Sequence, residues 1–121
     1  MAKHRLSIAF HLEVAHWMPN FPQNHINARV HGHSYTCEAI FEGLMFEKTG
    51  MLLDFEEAKQ QIDLVAQKFD HRMLNDVSGL EQPTSERLAM VLYAELKIKF
   101  PELVHIHLCR PTLGMSVCFP V

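Results

Sequence analysis

Apolar and polar side chains alternate along the start of the chain, with Leu6, Ile8, Phe10, Leu12 and Val14 interleaved with Arg5, Ser7, Ala9, His11 and Glu13. A period of two marks a half-buried strand, because successive side chains leave opposite faces of the pleat. A strand is therefore expected over residues 4–16. Residues 19–29 are rich in breakers and read as a loop. A second strand follows over about 30–46, with Glu38 and Glu42 on one face and Cys37, Ala39 and Phe41 on the other. Residues 47–50 form a turn, and the apolar triplet 51–53 reads as a short strand. Asp54 then opens a helix, its carboxylate placed to cap the first turn with Glu57 three residues on. Phe55, Ala58, Ile62, Val65, Ala66 and Phe69 recur at helical spacing as one apolar stripe. After a loop over about 70–83, Thr84 or Ser85 caps a second helix with the stripe Leu88, Val91, Leu92 and Leu96, which stops before Pro101. Two last strands are expected over about 104–110 and 115–119, with a turn around Gly114.

The order strand, strand, helix, helix, strand, strand predicts an α+β domain over residues 1–121, an antiparallel sheet with both helices on one face. The sheet has two open edges, and closing them by self-association predicts a homo-oligomer. A formal charge of −3 argues against a nucleic-acid binder, because no basic excess drives counterion release. No apolar run approaches membrane-span length, and the N-terminal residues carry no apolar signal core. Cys37, Cys109 and Cys118 are odd in number and match no disulfide or zinc-thiolate spacing. A cytoplasmic protein with reduced thiols is expected. Met73, Met90 and Met115 read as core filler.

The nine histidines change the picture. His31 and His33 flank Gly32 at the start of the second strand and point to one face. His16 ends the first strand. If the two strands pair antiparallel, the end of one lies beside the start of the other and the three imidazoles converge. Gly32 removes a side chain where backbone approaches closely. Three neutral nitrogen donors leave a fourth tetrahedral position open, which points to a catalytic zinc. His105 and His107 form a second same-face pair on a later strand, but no third ligand accompanies them, and a packed or lining role is expected.

The segments Phe10-His11-Leu12-Glu13-Val14-Ala15-His16 and Arg29-Val30-His31-Gly32-His33-Ser34 resemble the zinc motif of the 6-pyruvoyltetrahydropterin and 6-carboxytetrahydropterin synthase family. The likeness continues through Leu53-Asp54-Phe55, Asp70-His71-Arg72-Met73-Leu74-Asn75-Asp76 and Pro83-Thr84-Ser85-Glu86. The resemblance implies the T-fold, a ββααββ unit that assembles into a barrel as a trimer or hexamer, with sites between subunits. It implies Zn2+ on His16, His31 and His33, and a pterin-like substrate resembling dihydroneopterin triphosphate, in pterin or queuosine biosynthesis. It also implies Asp70 and His71 as a proton-relay pair and contacts to substrate from Thr84 and Glu86. Asp70 orients and His71 is the general acid or base. The bland alternatives are a histidine favoured at a helix C-terminus and residues that only cap the second helix.

Two positions depart from the family. Asn27 stands where the family carries its catalytic cysteine, four residues before His31. A thiolate takes a proton from carbon; a neutral amide does not. Cys37 is no substitute, because four residues of strand at about 3.3 Å each put it roughly 13 Å from His33. His25 is a weaker stand-in base. Arg110 aligns with the family's pterin-anchoring glutamate. A guanidinium carries only donors and suits a carboxylate or phosphate, unless Arg110 is merely a surface residue at a strand end. Three readings follow: a zinc-dependent lyase of the 6-carboxytetrahydropterin synthase type, a paralogous zinc enzyme for another anionic small molecule, and a catalytically silent T-fold binding protein.

Overall fold

The alternating segment forms β1, His4–His16, and its even positions from Ile8 onward are buried while the intervening side chains face outward. It pairs antiparallel with β2, His31–Gly43, in an unbroken register from His4↔Gly43 to His16↔His31. The computed structural model describes residues 2–121, so Met1 lies outside the described residues. β2 ends at Gly43, short of the expected residue 46, where the rungs with β1 run out.

The expected strand over 51–53 is absent. The backbone instead turns back on itself, with Gly50 N–H donating to Phe46 O and Phe46 N–H to Met51 O. Leu52 tucks against Gly43, where an added Cβ would come within 2.7 Å of a Leu52 methyl carbon. These residues are held by packing, with no strand partner.

Helix α1, Phe55–Ala66, is capped by Asp54, whose carboxylate accepts from Glu57 N–H. Its stripe buries from Ala58 onward, whereas Phe55, at the first helical position, is exposed. Helix α2, Ser85–Lys99, is capped by the Thr84 hydroxyl, which accepts from Arg87 N–H. The stretch expected as loop between the helices contains β3, Arg72–Met73, which pairs in parallel with Val14 and Ala15 of β1. Two residues are too few to leave a periodic signal, and the pairing depends on a free edge of β1 that only the folded sheet supplies. The sheet is therefore mixed.

Strands β4, Leu103–Arg110, and β5, Met115–Phe119, complete the order β3-β1-β2-β4-β5. Gly114 makes the turn between them at φ 63°, a left-handed conformation that glycine adopts without steric cost. α1 packs on β1, α2 packs on β4 and β5, and the helices touch each other. One continuous core joins Phe10, Leu12, Tyr35 and Phe41 of the sheet to Ile62, Val65, Leu88 and Leu92 of the helices. The histidine-bearing ends of β1 and β2 lie on this helix-covered face.

Candidate metal centre and its cavity

His16 and His31 form the terminal rung of the β1–β2 ladder, and Val14 pairs with His33 two rungs inward. Strand parity then brings the three rings onto one face, with centroids 4.5 to 4.9 Å apart. Gly32 sits opposite Ala15, and a Cβ there would meet Val14 O at 3.3 Å. The backbone approach expected at this glycine is real.

The hydrogen bonds fix two of the tautomers. His16 Nδ1–H donates to Pro83 O at 2.8 Å. His31 Nδ1–H donates to Arg29 O at 2.6 Å. A carbonyl only accepts, so each Nδ1 carries the proton and each Nε2 keeps a bare lone pair. Those two Nε2 atoms face each other at 2.9 Å. Two lone pairs at that distance repel unless a cation lies between them, and this donor chemistry fits a metal ion. One ligand atom from each of His16, His31 and His33 lies within 4.8 Å of the other two.

His16 is buried, and that burial, opposed by the bond to Pro83, holds its pKa below the usual imidazole range. Burial first, then the Arg110 guanidinium, push His33 down to about 4. Both rings are therefore neutral donors at pH 7, the form a metal requires. Pro83 immediately precedes the Thr84 cap, so the start of α2 orients His16 from above the sheet.

The triad lines a cavity of about 540 Å³ together with Asn27, Thr84, Glu86 and Arg110. Asn27 belongs to a short 3-10 turn and is tied by its backbone: its N–H donates to His25 Nδ1 at 3.0 Å and its carbonyl accepts from Met18 N–H at 2.8 Å. His25 thus spends a ring lone pair on the loop itself and stacks on Phe21. Thr84 both caps α2 and lines the cavity, so its two readings coexist.

Asp70 and His71 are not brought to this cavity. They lie beside the other face of β1, where His71 lines a second cavity with Glu13, Ala15, Ser34 and Thr112, which reaches the triad only at His33. Asp70 accepts from Glu13 N–H at 2.8 Å and pairs with His71 Nδ1 at 2.9 Å. The Glu13 N–H foremost, and His71 with it, keep the Asp70 carboxyl below its usual range. His71 holds φ 59°, left-handed for a side chain with a Cβ, and its N–H donates to Glu13 O at 2.6 Å.

Sequence reasoning missed several lining residues. Ser85 stands beside the capping threonine, but its buried hydroxyl pairs with Tyr35 Oη at 2.8 Å beneath the site. Met115 is no core filler: its sulfur accepts from Arg110 at 2.7 Å. Met90, expected in the core, is exposed. Met18, Phe21, Ile26 and Leu113 give the cavity an apolar wall, drawn from loops whose sequence carries no periodicity.

Cys37 lies under the sheet, and burial pushes its thiol up to about 12. It is a neutral, inert thiol at pH 7. Iodoacetamide is expected to modify the exposed Cys118 in the native protein and to leave Cys37 intact until denaturant is added, as read by peptide mass mapping. Native labelling of Cys37 at the Cys118 rate would contradict its placement.

The family model described as 6-pyruvoyl tetrahydropterin synthase matches residues 5–117. The chain belongs to that family. Its members include a Synechocystis protein named 6-carboxy-5,6,7,8-tetrahydropterin synthase, 37% identical over 93 residues, covering 73% of this chain and 70% of the relative. An Archaeoglobus fulgidus protein with the same name, marked putative, is 33% identical over 94 residues, covering 78% and 76%. A Pyrococcus furiosus dihydroneopterin monophosphate aldolase is 32% identical over 72 residues, covering 60% of each. The structure of Caenorhabditis elegans 6-pyruvoyl tetrahydropterin synthase superposes with a TM-score of 0.87 at 20% identity, covering 100% of this chain and 97% of that one. This chain thus has the T-fold and belongs to a family of pterin-pathway enzymes.

Proposed function

We propose that this protein is a zinc-dependent lyase of the 6-carboxytetrahydropterin synthase type, acting on a substrate resembling dihydroneopterin triphosphate. The observation that carries the reading is the pair of bare Nε2 lone pairs on His16 and His31, facing each other in a cavity shared with His33. Zinc bound there supplies a Lewis acid that polarises substrate oxygens. The chain's own residues do the rest. His71 moves protons and Asp70, ionised and tied to the β1 backbone, orients it. Asn27 offers a neutral amide at the cavity wall in place of a thiolate base. Thr84 and Glu86 at the head of α2 contact the substrate.

His71 lines a cavity that touches the triad only at His33, while His16 and His31 open onto the other one, so a substrate seated over all three histidines meets a His71 supplied by a neighbouring protomer. A homo-oligomer, trimer or hexamer, with sites at subunit interfaces supplies that arrangement. The short edge strands β3 and β5, and the length of β1 that β3 leaves uncovered, are edges free to pair. Zinc-loaded protein incubated with dihydroneopterin triphosphate is expected to turn over above a zinc-free control, followed by chromatography of the pterin products. Refolded mixtures of His31→Ala and His71→Ala chains, each strongly impaired alone, are expected to regain part of the activity. Absence of turnover would overturn the lyase reading; turnover without regain in the mixture would overturn the shared site.

A second reading is favoured by Asn27 and Arg110 together: a paralogous zinc enzyme for another anionic small molecule. The Pyrococcus furiosus relative, named for a phosphorylated dihydroneopterin, supports a phosphate-bearing substrate under either reading.

A further inference from the structure

Arg110 ends β4 half-buried at the cavity wall, with its guanidinium carbon 6.0 Å from the centre of the Tyr35 ring. Its Nη1–H donates to His33 Nε2 at 3.0 Å, and its Nη2–H to the Met115 sulfur at 2.7 Å. The Nε–H is shut away from solvent and meets no acceptor. Among the described residues no carboxylate pairs with this cation. A thioether is a weak acceptor, so the only strong partner of the guanidinium is a candidate metal ligand.

A neutral imidazole has a single lone pair. While Arg110 donates to Nε2 of His33, the proton of that ring sits on Nδ1 and no nitrogen remains for a metal. Arg110 and a metal therefore compete for His33. A metal that wins sets Arg110 free beside another positive centre, with its Nε–H still unpaired. What satisfies both cations at once is an anion with two oxygens, one toward each.

We infer that Arg110 couples metal binding to an oxyanion, carboxylate or phosphate, which draws the guanidinium off His33 and bridges it to the metal. The inference rests on the metal reading of the triad and names the part of the substrate that this site selects. Coupling is reciprocal: an anion that takes Arg110 from His33 tightens the metal by the same factor that the metal tightens the anion.

Zinc affinity, measured by competition with a chromophoric chelator, tests this without any assay of activity. The Arg110→Gln and Arg110→Met variants are expected to bind zinc about tenfold more tightly than the unaltered chain, within the usual span of couplings between sites. Inorganic phosphate in one arm and acetate in the other are expected to tighten zinc on the unaltered chain, and on neither variant. The arm with the larger effect identifies the anion. Free zinc–anion complexes weaken binding equally for all chains, so the difference between chains is the signal. Equal zinc affinity in the three chains, or the same anion response in all of them, would overturn the coupling alone. No zinc binding to any of them would overturn the metal reading beneath it.

Discussion

Replacing His31 by alanine is expected to weaken zinc binding by more than about a hundredfold, since even outer-shell partners of metal ligands are worth ten to a hundredfold. His31 is the informative ligand to remove. It is only half-buried at the first position of β2, and its ring bonds to the nearby Arg29 carbonyl. Alanine there leaves the ladder intact. His16→Ala, by contrast, empties a buried position and strips the Pro83 carbonyl of its donor, so lost binding would be confounded with lost stability. The measurement is a chelator competition on folded protein, with the far-ultraviolet circular dichroism unchanged from the parent. Unchanged affinity would mean that the facing lone pairs of His16 and His31 do not hold the ion.

Replacing His71 by alanine is expected to lower turnover of dihydroneopterin triphosphate by about 100- to 10,000-fold, the usual worth of a positioned general acid or base. Zinc affinity is expected to stay at the parent value, because the His71 ring pairs with Asp70 and bonds to none of the three candidate ligands. The two readouts separate a proton-moving role from a structural one. The local backbone gives a further reason to assign His71 a function. A side chain held at φ 59° costs energy that a glycine would avoid. It is retained where Asp70 and Glu13 fasten it from two sides. Full activity in His71→Ala would assign the strained histidine to β1 packing alone.

Most of the framework was legible in local pattern. Alternation along β1 places His16 on the same face as Leu12 and Val14, and parity along β2 places His31 and His33 with Tyr35 and Cys37. Asp54 and Thr84 are caps because a short polar oxygen before an apolar stripe has unpaired helical N–H groups to accept from. The errors lie where local pattern carries no information. Residues 51–53 are apolar enough for a strand, yet the turn closed between Phe46, Gly50 and Met51 folds them back against Gly43, where no strand lies beside them. Arg72 and Met73 show nothing of a strand until β1 offers an edge.

The sequence by itself determined which residue types could serve as metal ligands and which face each one takes. Those properties follow from period, chemistry and spacing, which act over a few residues. Only the tertiary structure decided the rest. Closing the loop over 19–29 sets the rung that brings His16 to His31. Bringing β4 beside β2 sets Arg110 against His33, a pair 77 residues apart. Seating α2 on the sheet gives His16 the Pro83 carbonyl that fixes its tautomer. Contacts between distant segments depend on register and packing, and neither is encoded in the residues of one segment alone.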